Sequence, residues 1–398
     1  MVQSPFFWLA LVVAVPIYWI LPHRFRAIFL SAVSVGYLVT LDPVTAAVLA
    51  GWTVLFFAAA PLAQRETQRD KTRAARVVPF LLIGIFAYLG YHKYFPRILG
   101  AIGFAAETRT LLLPLGISYF TFKLAHYAIE VGRKNITDRS LASFVSYIFL
   151  FPIYSAGPIE RYDHFLANRS ERWEEDHLIA GATRIVHGLV KKFVIGEMLL
   201  RRLYFDLPNV DVVLTHLDRL GPLDAWRFLI VAYLLAYMDF SAYSDIAIGS
   251  SRLFGIRIME NFRWPILATN IGDFWKRWHM TLAGWCQAYV YMPMIGLTRK
   301  PYVAVFATFI AMGLWHAGTT TWVLWGVYHA TGVSIYLTWL RIKRKRGWLK
   351  EASPLLTVVS VLATGLFVAG SFAFTVTHGR GDTVDGLRIL TKLIGVNL

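Results

Sequence analysis

Two histidines stand beside tryptophans in apolar sequence. The first lies in Asp273-Phe274-Trp275-Lys276-Arg277-Trp278-His279-Met280-Thr281-Leu282. A helical period puts Trp275, Trp278, His279 and Leu282 on one face and Asp273, Lys276 and Arg277 off it. The second lies in Gly313-Leu314-Trp315-His316-Ala317-Gly318, inside an apolar run from Val303 to Ala330. Imidazole is the side chain whose ordinary pKa suits proton transfer near neutral pH. At membrane depth such a ring is expensive unless it lines a cavity or meets a partner, so it marks a functional site by default. The residues alone leave a second reading open, in which each histidine is polar glue between helices. Cys286 is a third candidate as a lone nucleophile, but its apolar setting fits a buried, inert thiol better.

The elements that must position these rings are membrane helices. The chain has 398 residues, of which 57% are hydrophobic and only 16% charged, where soluble proteins carry about 25% charged residues. Apolar runs of roughly 20 residues, the length that crosses a bilayer, recur to the C-terminus. The fold class expected is an all-α polytopic membrane protein, one integral-membrane domain over 1–398. It comprises N-terminal helices over 1–105, a core over 111–330, and a C-terminal helix and tail over 351–398. The net charge of +16 sits mainly in short loops, as the positive-inside rule requires. No basic, aromatic-interleaved soluble module exists to bind nucleic acid. One cysteine excludes an intrachain disulfide and a cysteine zinc site, and no metal is expected.

Met1 to Pro5 lacks a positive n-region, so Phe6–Leu21 reads as a retained helix. Runs over 27–40 and 44–63 follow, leading to a basic loop over Arg65–Arg76. Shorter aromatic runs cover Val77–Tyr91 and Tyr94–Phe104. A polar-bearing helix over 111–131 carries Lys123, His126 and Glu130, with His126 a weaker site candidate. A span over Leu141–Ala156 runs into Pro152, Gly157 and Pro158, a break that suits either a cavity-lining segment or an ordinary helix exit with an interfacial Glu160-Arg161 pair. His177–Leu203 is amphipathic and fits the headgroup plane. Trp226–Tyr243 leads into Asp239 and Asp245, two acids whose depth implies a polar cavity. Arg341–Lys350 is the densest basic loop, placed in the cytoplasm with an anionic lipid or partner as a secondary role. The last span is Leu355–Val376. Three crossings before the first basic loop put the N-terminus outside.

Several stretches together resemble the membrane-bound O-acyltransferase family, in its bacterial branch that modifies envelope polymers. They are Ala156-Gly157-Pro158-Ile159-Glu160-Arg161-Tyr162, Asp239-Phe240-Ser241-Ala242-Tyr243-Ser244-Asp245-Ile246-Ala247-Ile248-Gly249, Met259-Glu260-Asn261-Phe262, Phe274 to Leu282, and Gly313 to Gly318. They occur in order between about Leu113 and His329. The resemblance implies roughly eleven membrane-embedded helices around a central funnel or tunnel, some re-entrant or interfacial. It implies transfer of an acyl group, acetyl or D-alanyl-like, from a thioester donor to a hydroxyl of an extracytoplasmic polymer. His316 corresponds to the family's catalytic histidine and His279 to its second polar position. Trp278, Trp315, Asp239, Tyr243, Asp245, Ser118 and Glu160 are the substrate-binding or tunnel-lining candidates.

The resemblance further implies no permanently bound cofactor and an acyl-coenzyme A or acyl-carrier protein presented from the cytoplasm. An extracytoplasmic partner would complete the transfer outside a bacterial inner membrane. Alginate-acetylating members carry a Leu-Gly-Gly-Asn-Arg-like loop where this chain has Met294 to Lys300, and the Gly157–Tyr162 stretch stands nearer the teichoic-acid D-alanylation type. The rival class is a transporter or lipid flippase using Asp239, Asp245, His279 and His316 as a path. That class predicts inverted repeats, and none is visible in the sequence.

Overall fold

The computed structural model describes residues 4–64, 71–101, 114–204, 210–215, 217–348, 353–379 and 383–396. Residues 65–70 of the first basic loop and Leu111–Leu113 therefore lie outside the described residues. The chain divides into two compact units, Met1–Gly188 with Tyr243–Glu260, and Leu189–Ala242 with Asn261–Leu398.

The first unit opens with α1 (Pro5–Ile20), α2 (His23–Leu41) and α3 (Pro43–Ala59). Asp42 starts α3 by accepting from the Thr45 amide at 2.9 Å, the ordinary way a helix N-terminus satisfies an orphan donor. The next element is a single helix, α4 (Lys71–Ala101), rather than the two short runs expected on either side of His92-Lys93. No turn residues separate Tyr91 from Tyr94, and two polar side chains alone do not end a helix. α5 (Ile117–Gly132) is buried over most of its length.

The span expected over Leu141–Ala156 is shorter. α6 (Leu141–Phe149) has 9 residues, and a tight turn at Phe151–Ile153 follows. Pro152 cannot continue the α-helical hydrogen bonding, and 9 residues reach less than half of the roughly 30 Å a crossing requires. α7 (Tyr162–Ala167) and α8 (Glu175–Leu189) complete the unit's helices before 243. The helical path then continues into the second unit as a π-helical stretch over Val190–Leu200 and α9 (Arg201–Tyr204).

The second unit adds α10 (Val210–Thr215) and α11 (Pro222–Leu253), the latter giving its residues after Ala242 to the first unit. Then come α12 (Ile271–Trp275), α13 (Met280–Cys286) and α14 (Met292–Thr298). The long elements α15 (Pro301–His316), α16 (Thr320–Lys345) and α17 (Pro354–Thr377) follow, with α18 (Thr383–Lys392) last. The apolar run Val303–Ala330 is thus two helices, parted at Ala317–Thr319. α15 and α16 pack unusually closely. A Cβ on Gly313 would overlap the Trp322 carbonyl, and one on Gly326 would come 2.5 Å from the Phe309 carbonyl oxygen.

Among the described residues, five segments are long and apolar enough to cross a membrane: His23–Leu41, Pro43–Gln64, Arg76–Phe95, Pro222–Leu253 and Pro354–Thr377. Pro5–Ile20, Leu141–Ile153 and Pro301–His316 are shorter apolar helices. Large side chains such as Phe6, Leu9 and Val12 on α1 and Leu355, Val358 and Leu362 on α17 are exposed, the pattern of a surface solvated by lipid rather than water. Among the described residues there is no strand, only an isolated bridge between Arg169 and Ile256. The protein is an all-α polytopic membrane protein.

Candidate active site

The site is assembled from the short helices before α14 and the ends of α15 and α16. Asn270 caps α12 by accepting from the Asp273 amide at 2.8 Å, and Asp273 in turn holds the Arg277 guanidinium at 2.8 Å. The continuous helix expected from Asp273 to Leu282 does not form. α12 stops at Trp275, and His279 takes a left-handed backbone with φ 43° before α13 begins. Left-handed conformation is uncommon outside glycine and costs free energy, so surrounding contacts must hold it.

Asn261 supplies those contacts. Its backbone oxygen accepts from the Met280 amide at 2.9 Å. Its side-chain oxygen accepts from Thr281 Oγ1 at 2.9 Å and meets His279 Nδ1 at 3.0 Å. The Thr281 amide, which can only donate, points to the same atom at 3.4 Å, so that atom is the carbonyl oxygen. His279 Nδ1 must then carry the hydrogen, and the neutral ring keeps its lone pair on Nε2. Asn261 and His279 are both buried.

His316 closes α15. Its ring stacks on Trp322 at 4.2 Å and 14°, and Trp315 touches both histidines, at 4.6 Å from His316 and 6.2 Å from His279. The close approach of α15 and α16 at Gly313 brings Trp322 under His316. A cavity of about 210 Å³ lies here, walled by Phe240, Trp275, Trp278, His279, His316, Trp322, Trp325 and His329, with Ser371 and Thr375 from α17. The two sequence-predicted histidines and Trp278 therefore share one cavity, while Trp315 packs between the rings. A heteroatom base, aromatic walls and little polar surface suit chemistry from which water is largely excluded.

The other candidates stand elsewhere. Asp239 is more than half exposed and pairs with Lys192 at 2.7 Å, so it is not on the cavity wall. In the first unit, Asp245 accepts from Arg184 Nε at 2.7 Å, and Arg184 also reaches Glu260 at 2.6 Å. Tyr243 and Ser155 hydroxyls meet at 2.9 Å. Ser118 lies in the first turn of α5 and is partly buried. Glu160 is fully buried and ties three segments together. It accepts from His164 Nδ1 at 2.7 Å, from the Met259 amide at 2.7 Å and from the Arg161 amide at 3.2 Å. The hydrogen bond to Glu160 raises the His164 pKa above its ordinary value. The Glu160-Arg161 pair of the sequence reading is thus not interfacial: the carboxylate is buried and pairs with His164, and only the Arg161 backbone amide reaches it. His126 is engaged with the Tyr162 amide and Asp163.

Two residues were not among the sequence candidates. Asn261 carried a signal only as part of the Met259–Phe262 stretch. His329 lies thirteen positions after His316 in an aromatic helix, and nothing in its spacing pointed to the cavity.

Fold and site define a multi-pass helical membrane protein with a histidine-bearing aromatic cavity in its second unit. A family model described as MBOAT, the membrane-bound O-acyltransferase family, matches residues 56–376, and the chain belongs to that family. It is 31% identical to a probable alginate O-acetylase of Pseudomonas aeruginosa, over 87% of this chain and 66% of that one. It is 31% identical to a teichoic acid D-alanyltransferase of Bacillus subtilis, over 67% of this chain and 69% of that one. With a peptidoglycan O-acetyltransferase of Helicobacter pylori the identity is 28%, over 80% and 65%. The chain thus spans about two thirds of the length of these relatives.

Proposed function

We propose that the protein moves an acyl group from a thioester donor to a hydroxyl of an extracytoplasmic envelope polymer, with the reaction centred on His316 and His279. The observation that carries the reading is the convergence of two histidines, one before α13 and one at the end of α15, on one aromatic cavity, in a chain of this family. The hydroxyl oxygen attacks the thioester carbonyl carbon while His316 takes its proton. The carbon–sulfur bond then breaks, and the departing thiolate takes the proton from His316, leaving ester and free thiol. His279 cannot donate from Nε2 while Nδ1–H is given to Asn261. It therefore orients the substrate by accepting from an O–H or N–H beside the reacting hydroxyl.

The bilayer makes such a site useful. Thioesters of coenzyme A or a carrier protein are cytoplasmic, whereas the polymer lies outside, and a site within the membrane lets the acyl group pass without its donor. The basic end of α16, Arg341–Lys345, where a loop was expected over Arg341–Lys350, faces the cytoplasm of a bacterial inner membrane in this reading, the N-terminus lies outside, and an extracytoplasmic partner protein completes the transfer. The test compares envelope-polymer esters, by mass spectrometry, between cells with and without the protein. Loss of one defined ester is the result expected. An unchanged ester profile would contradict the reading and favour a transport role.

A further inference from the structure

A second cavity shares no lining residue with the one that holds the histidines. It is an open groove of about 380 Å³ between α15 and α16, walled by Phe306 of the first and by Thr331, Ser334, Ile335, Thr338, Trp339 and Ile342 of the second. The six α16 residues recur at helical spacing and form one face. Ile335, Trp339 and Ile342 are exposed. The hydroxyls of Thr331 and Thr338 donate to the backbone oxygens of Val327 and Ser334, so the wall offers hydrocarbon and ring surface rather than free donors. Lipid is the solvent that suits such a face.

One end of the groove is strongly basic. Residues 341–346 carry five cations. Lys345 and Arg346 continue the groove's face one turn past Ile342, and Arg341 does so one turn past Thr338. The Tyr302 and Thr338 hydroxyls meet at 2.9 Å, which brings the start of α15, with Arg299 and Lys300 before it, to the same end. The sequence has no Asp or Glu from 274 to 350, and among the described residues no carboxylate pairs with any of these seven cations. Arg341 lies over the Tyr302 ring at 5.6 Å and Lys343 over Trp339 at 5.4 Å, contacts that place the charges beside the groove without neutralising them. The length of the groove fits one leaflet. Thr331 to Ile342 spans about 16 Å at the helical rise, close to half of the roughly 30 Å hydrocarbon core. The cations then stand at headgroup depth, where a tryptophan such as Trp339 is also at home.

We propose that this groove binds one anionic phospholipid, its acyl chain along Ile335 and Trp339 and its phosphate held by Arg341 and Lys345. A basic pocket between membrane helices is the kind of place that holds such a headgroup. A water-soluble phosphate compound would meet the cations but leave the apolar wall bare. A second copy of this chain docked on the same face would set its own cations against these. The inference goes beyond the acyltransferase reading and does not depend on it.

The experiment is native mass spectrometry of the purified full chain in detergent, with phosphatidylglycerol or phosphatidylethanolamine added at equal concentration. Phosphatidylglycerol is expected to bind at least about tenfold more tightly. Arg341→Gln/Lys345→Gln is expected to weaken it by about tenfold to thirtyfold, the effect of two cations at a membrane surface. Arg172→Gln/Arg257→Gln, which removes the same charge from the first unit, should leave it unchanged. Trp339→Ala, which keeps every cation, should weaken both lipids, and coenzyme A should not displace phosphatidylglycerol. Equal binding of the two lipids by the wild type would overturn the proposal whatever the variants do. So would equal losses in the two double variants, which would reduce the effect to net charge, or undiminished binding in Trp339→Ala. Displacement by coenzyme A would assign the cations to a soluble phosphate compound instead.

Discussion

Asn261 gathers the side chain of His279, the hydroxyl of Thr281 and the amide that starts α13, so one buried amide sets both the tautomer of the ring and the left-handed turn beneath it. Asn261→Ala is expected to lower polymer esterification about tenfold to a hundredfold, the scale of losing a positioned acid–base group. Asn261→Asp, which keeps an acceptor oxygen, should retain more activity than Asn261→Ala; equal activities would show that orientation of His279 is unimportant. A second residue-scale prediction concerns His164. Its pKa is raised by Glu160, so its contribution to stability is complete below the ordinary histidine value of about 6.5 and is lost as pH rises through the raised folded value. The melting temperature of the wild type should therefore exceed that of His164→Asn at pH 6 and converge with it by about pH 9. His279 and His316 were legible in the sequence because a titratable ring among tryptophans in apolar sequence is conspicuous. Asn261 and His329 were not, because their roles depend on contacts made across the fold.

At the scale of elements, the cavity depends on how closely α15 and α16 approach. Gly313 and Gly326 face backbone carbonyls of the opposite helix, and backbone cannot move aside as a flexible side chain would. Gly326→Ala is expected to destabilise by about 1–3 kcal/mol or more through overpacking. Gly36→Ala on α2, where a Cβ would meet nothing within 4 Å, should be neutral or slightly stabilising. Thermal unfolding in detergent compares the two, and equal shifts would contradict the packing account. Helix existence was readable from apolar runs, and the limits of α17 match the expected span closely. Periodicity misled at His279, because the apolar face continues in the sequence while the chain turns back on Asn261. It also overextended α6, where Pro152 outweighs an apolar pattern that runs past it.

At the scale of the molecule, the basic loops set orientation. Arg341, Lys343, Arg344 and Lys345 cluster at the end of α16, and the positive-inside rule puts that end in the cytoplasm. Cys286 is buried, so a Cys286→Ser, Arg344→Cys protein reports on position 344 alone. A membrane-impermeant thiol reagent should label it in inverted vesicles and not in intact spheroplasts; the reverse pattern would invert the topology. Class and membrane character were legible from composition and run length alone. The division into two units, and the confinement of the cavity to the second, were not, since both arise from contacts between segments far apart in the sequence.

The central claim is that His316 and His279 act together in one transfer, His316 taking the proton of the attacking hydroxyl and His279 orienting the acceptor beside it. It is tested most directly by measuring the polymer ester in cells carrying His316→Ala or His279→Ala, each present in the membrane at the wild-type level. Loss of the same ester in both variants, by at least about a hundredfold for His316→Ala, is the predicted result. Wild-type ester in His316→Ala would contradict the account.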